Sequence, residues 1–69
     1  MKHTNKIRVL IQLYQDGELT GGMNQEWDNE NLSRFILALE GDATINRPDK
    51  NFIKILMSKK DFERTIKRY

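Results

Sequence analysis

Few residue types in this chain of 69 can do covalent chemistry. Cysteine is absent, which removes disulfides, thiolate metal sites and a thiol nucleophile together. The one histidine, His3, sits three residues ahead of the first regular pattern, so no histidine lies in the body of the expected fold to serve in a nucleophile-base pair. Gly21-Gly22 is not followed by the Lys and Ser/Thr that a phosphate loop places at the start of a helix. These observations predict a protein without catalytic, metal or cofactor residues, one that works by binding.

Two constellations could bind. Lys59, Lys60, Arg64, Lys67 and Arg68 spread around one C-terminal segment, and cations of this kind grip phosphates, each contact adding a salt-dependent increment. Asp61 and Glu63 interrupt the set, and Glu63 with Lys67 has the i,i+4 spacing of an ordinary solvated helix face. The second constellation joins the aromatics Tyr14 and Phe52 to Arg8 and Lys54, the stacking-plus-charge combination used on single-stranded nucleic acid.

Charge is polarised along the chain. Residues from Arg47 onward carry eight Lys/Arg against three Asp/Glu, whereas Glu26 to Asn46 carry one Arg against five acids. The formal total of +2 conceals both regions, and contacts respond to the local field. Five carboxylates are thin for nucleic-acid mimicry, and Asp28 and Glu30 already have work at a helix start.

Residues Lys6 to Tyr14 alternate as a strand, with Ile7, Val9, Ile11 and Leu13 on one face and Arg8, Leu10, Gln12 and Tyr14 on the other. Asp16-Gly17 suits a tight hairpin, because both residues tolerate positive φ. Glu18 to Met23 is the expected return strand, with Leu19 and Met23 pointing inward and Gly21-Gly22 marking a bulge or an edge. Asp28 has the character of an N-cap, with Trp27 and Leu32 placed as a hydrophobic staple. Leu32, Phe35, Ile36 and Leu39 then recur at helical spacing, so a helix is expected from Asn29 to Glu40, capped by Gly41. The stapling position gives Trp27 a structural role ahead of that of an exposed binding anchor.

Asp42 to Asn51, which contains Pro48, is expected to be a loop, and Phe52 to Met57 a short strand. Ser58 then caps a second helix, with Met57 set to staple onto Phe62 and a narrow stripe of Phe62, Thr65, Ile66 and Tyr69. The expected fold is an α+β two-layer sandwich of order ββαβα. Its three-stranded antiparallel sheet, order 2-1-3, carries both helices on one face. Residues 6–69 form the single domain, and residues 1–5 a disordered N-terminus. Two helices separated by a loop and a strand do not make a helix-turn-helix.

That arrangement leaves Leu10, Tyr14, Phe52 and Leu56 on the uncovered face beside Arg8 and Lys54. Scattered apolar groups on an antiparallel sheet need no explanation. Four on one face of so small a domain are stability left unused, at roughly 1.5–3 kcal/mol for each side chain fully desolvated. The leading expectation is a small interaction or regulatory protein that binds a protein partner or a second copy of itself through this face. The alternative is a nucleic-acid-binding regulator that uses the basic helix or the aromatic sheet face. No small-molecule substrate is expected, since 69 residues can hardly enclose a cleft. No segment has the length of a membrane span or the pattern of a secretory signal, and a cytoplasmic location is expected. Abundant Lys, Ile and Asn suit an AT-rich genome, and such small size without chemistry suits a regulator borne by a phage or another mobile element.

Overall fold

The computed structural model describes residues 6–69, so His3 and the expected disordered N-terminus lie outside it. The described chain is α+β, with two helices on one face of a four-stranded mixed sheet. The elements are β1 (Ile7–Gln15), β2 (Glu18–Trp27), α1 (Asn29–Ala38), β3 (Ala43–Asp49), β4 (Phe52–Ser58) and α2 (Lys59–Arg68). The sheet order is β2-β1-β4-β3.

The alternation in β1 places Ile7, Val9 and Ile11 in the core, as expected. They meet Ile53, Ile55 and Met57 of β4 and Leu32 and Phe35 of α1. The β1–β2 turn holds Asp16 and Gly17 at φ 54° and 81°, the left-handed pair that matches the twist of a hairpin. Both N-caps form: Asn31 N–H donates to Asp28 Oδ1 at 2.8 Å, and Asp61 N–H donates to Ser58 Oγ at 3.0 Å.

Several expectations are corrected. The segment read as a loop contains β3, paired antiparallel with β4. Pro48 is tolerated because β3 is an edge strand and the register breaks between Asn46 and Asp49, where no ladder N–H is required. The sheet therefore has four strands rather than three. The extra strand also reverses the chain once more, so β4 runs parallel to β1 rather than antiparallel.

In β2 the register slips between Leu13 and Tyr14, leaving Thr20 as the bulged residue. That slip sets Leu19 opposite Tyr14, on the face away from the helices, where it is 65% exposed instead of pointing inward.

The first helix ends at Ala38, two residues early. Leu39 turns out of the helix to pack against the core, and Glu40 N–H donates to Thr65 Oγ1 at 3.0 Å rather than continuing the helix ladder. Gly41, at φ 77°, makes the turn, and its Cα lies so close to the Asp61 carboxylate that a Cβ there would overlap it. The α1–β3 connection is thus fastened to α2 at Thr65 and Arg68, the latter paired with the Glu40 carboxylate.

Candidate functional site

Strand alternation assigns the side chains that face away from the helices, and register aligns them in rows. Across β1 and β4, Arg8 stands beside Phe52, Leu10 beside Lys54, Gln12 beside Leu56, and Tyr14 beside Ser58. The six residues expected to form an interface (Arg8, Leu10, Tyr14, Phe52, Lys54 and Leu56) therefore lie together on the two central strands. The β2 side of this face adds Glu26, Asn24, Gly22 and the displaced Leu19; the β3 side adds Asn46 and Thr44.

Leu10, Tyr14, Phe52 and Lys54 are half-buried by their neighbours, while Leu56 is 37% exposed and Leu19 more so. Leu19 belongs to this patch, and alternation alone assigned it to the opposite face. A bulge at the Gly pair that follows it was the signal available, since one extra residue reverses the facing of side chains on its far side.

The face is less cationic than its composition suggests. Arg8 is turned toward β2, donating from Nη1 to Asn24 Oδ1 at 3.1 Å and meeting Glu26 at 3.4 Å. Lys54 is then the cation of the central rows that no carboxylate approaches within ion-pair distance among the described residues. One half-buried lysine among neutral side chains gives a weak field for a phosphate chain.

The basic helix is also partly neutralised. Arg64 pairs with Asp61 at 3.5 Å, and Arg68 with Glu40. The Glu63–Lys67 pair suggested by spacing does not form; among the described residues, Lys59, Lys60 and Lys67 make no ion pair. The two charge poles of the sequence thus meet within the fold through Arg68–Glu40.

Lys59 and Lys60 reach the end of the open face. With Tyr14, Gly17, Ser58 and Glu63 they line a shallow concavity of about 430 Å³ between the β1–β2 turn and the start of α2. This brings members of the two separately identified constellations together. Lys67 and Arg68 lie at the far end of α2, away from it.

Trp27 has the structural role. It packs tilted on Phe35 with centroids 5.2 Å apart and stacks on Tyr69 at 6.1 Å, while the Tyr69 hydroxyl donates to Asn31 Oδ1. The expected stripe of α2 divides: Thr65 is fully buried, Phe62 is half-buried, and Ile66 stays 44% exposed. Among the described residues no group of three or more His, Asp or Glu could hold a metal ion. No described helix is long and apolar enough to cross a membrane.

The chain matches no protein-family model, no curated protein and no solved structure.

Proposed function

We propose that this protein is a non-enzymatic interaction module that engages a protein partner through the open face of its sheet. The supporting observation is the clustering of Leu10, Tyr14, Phe52, Leu56 and Leu19 on one uncovered face, around neutral polar groups. The charge that could favour nucleic acid there is mostly spent, because Arg8 is held by Glu26 and Asn24.

Four strands at about 4.8 Å spacing and about 25 Å of strand give a face of roughly 500 Å². Standard protein interfaces use about 800 Å² per partner. A partner seated on this face alone binds with modest affinity, in keeping with a regulatory contact.

Leu56 and Lys60 are the discriminating positions. Completing the burial of Leu56 is worth about 1 kcal/mol, and a carboxylate buried in its place costs more. Leu56→Asp is expected to weaken capture of a partner protein at least tenfold while leaving the fold intact by circular dichroism. Lys60→Glu is expected to leave capture unchanged.

A second reading is favoured by the concavity that joins Tyr14 to Lys59 and Lys60. There the protein would hold a single-stranded nucleic acid, an aromatic ring against a base and two ammonium groups against phosphates. Retention on a mixed-sequence oligonucleotide column at about 100 mM salt, lost in Lys60→Glu and kept in Leu56→Asp, supports that reading and refutes the first.

A further inference from the structure

The two edges of the sheet are built differently. β3 carries Pro48 and a register break, so only Ala43–Asn46 is regular, and its end is charged by Arg47, Asp49 and Lys50. Proline, bulges and charge are the devices that stop an edge from pairing. β2, the other terminal strand, has ten residues and no proline. Beyond the bulge at Thr20, Gly21–Trp27 pairs with β1 without interruption.

We infer that a second copy of this chain pairs antiparallel with the outer edge of β2, about a two-fold axis at Asn24, to form one continuous eight-stranded sheet. The reading goes beyond the open-face proposal and stands without it.

The register follows from faces. In a continuous sheet the paired residues must project to the same side, so the two positions must share parity within the regular stretch. Gly21–Trp27 is symmetric about Asn24, which sets Asn24 against Asn24, Met23 against Gln25, Gly22 against Glu26, and Gly21 against Trp27. No like charges oppose each other, and Glu26 is already balanced by Arg8. Trp27, whose ring is packed inward on Phe35 and Tyr69, falls opposite Gly21, so this pair places no bulky side chains against each other at the edge. Asn24 accepts from Arg8 through Oδ1, which leaves its amide NH₂ to donate across the axis.

The helix layer continues the contact. Asn31 marks the side of α1 that faces α2, through its bond with Tyr69. Ile36 lies five residues on, about 140° around the helix, and so over the outer edge of β2. From Asn29 to Ile36 the helix climbs about 10 Å, and β2 spans about 10 Å from Trp27 back to Asn24. Ile36, 36% exposed, is thereby placed level with the axis, opposite its own copy. Leu37 is 81% exposed and points away from the sheet, outside this contact.

A seven-residue edge about 23 Å long and two layers deep, about 18 Å, covers roughly 400 Å² per copy. That is the size of a weak, reversible interface rather than an obligate one. The joined sheet would present an open face of about twice the single-copy area.

Sedimentation of the full chain over about 1–500 μM tests the inference. The expected result is a rise from 8.2 kDa toward twice that mass, with Ile36→Lys raising the dissociation constant at least tenfold and Leu37→Lys leaving it unchanged. Because the chain has no cysteine, Asn24→Cys adds a register test. Antiparallel neighbours have Cα atoms about 4.5–5.5 Å apart, within disulfide range, so Asn24→Cys is expected to cross-link on mild oxidation and Leu37→Cys is not. A single 8.2 kDa species at every concentration overturns the inference. Equal cross-linking of the two cysteine variants, or a dimer that Leu56→Asp dissolves and Ile36→Lys does not, overturns it as well. The last result would place self-association on the open face instead.

Discussion

Replacing Thr65 by valine removes one oxygen from the interior and leaves the shape nearly unchanged. Thr65 is fully buried. Its Oγ1 accepts from Glu40 N–H at 3.0 Å and donates to Asp61 O at 2.8 Å. The two bonds are unequal. Asp61 O already lies at the i−4 position, where the helix ladder supplies a donor, so its loss is small. Glu40 N–H has left its own helix and has Thr65 as its acceptor, so in the variant this part-buried donor goes unpaired. An unsatisfied buried donor costs about 1–3 kcal/mol. Thr65→Ser keeps both bonds and loses one methyl, worth about 0.8 kcal/mol with a small cavity added. Thr65→Val is therefore expected to be the more damaging, by about 2 kcal/mol relative to wild type. For a domain of this size that lowers the melting temperature by about 10 °C. Urea denaturation measures the difference at constant m-value, and amide exchange at Glu40 reports its origin. Protection of that amide should vanish in Thr65→Val and persist in Thr65→Ser. If valine is tolerated within 0.5 kcal/mol, or serine proves the worse substitution, the bond does not fasten the connection (the threshold being the usual scatter of neutral surface changes, about that size).

The glycine pair in β2 should respond unequally. A Cβ at Gly22 would overlap the Ile11 carbonyl oxygen, whereas one at Gly21 meets nothing within 4 Å. Gly22→Ala is expected to cost more than about 1 kcal/mol, the scale of an overpacked site, and Gly21→Ala to be neutral or slightly stabilising; thermal denaturation compares them. Asp28→Ala removes the acceptor for Asn31 N–H and should cost about 1 kcal/mol in urea denaturation, with Asp28→Ser restoring most of it.

The legible parts of this fold were those where one local rule sufficed. Period-two alternation placed Ile7, Val9 and Ile11, and Ile53, Ile55 and Met57, in the core. Capping chemistry located Asp28 and Ser58. What escaped were elements whose identity depends on neighbours. Thr44 to Asp49 has proline and few apolar residues, which is how an edge strand is written when its function is to resist further pairing. Missing it also reversed the direction of β4. The open face was legible because both central strands alternate strongly, yet Leu19 was not, because a bulge must be seen before its effect on facing can be known. Charge misled at Arg8, Arg64 and Arg68, whose partners lie 18, 3 and 28 positions away and are brought near by tertiary contacts or a helical turn. Thr65 offered one signal, a polar residue on an apolar helical stripe, whose partner only the fold supplies.

The central β1–β4 ladder bears on how the chain reaches its native state. Val9 pairs with Ile53, 44 positions further on. The β1–β2 and β3–β4 hairpins are local and can close early, but neither holds the core alone. Joining them side by side closes a long loop, whose entropy must be met before the contacts repay it. On the ribosome, β1 therefore waits with the edge that β4 takes unpaired until Ser58 has emerged. A chain stopped short of β4 is not a smaller version of this fold, because it lacks the strand on which the first one closes.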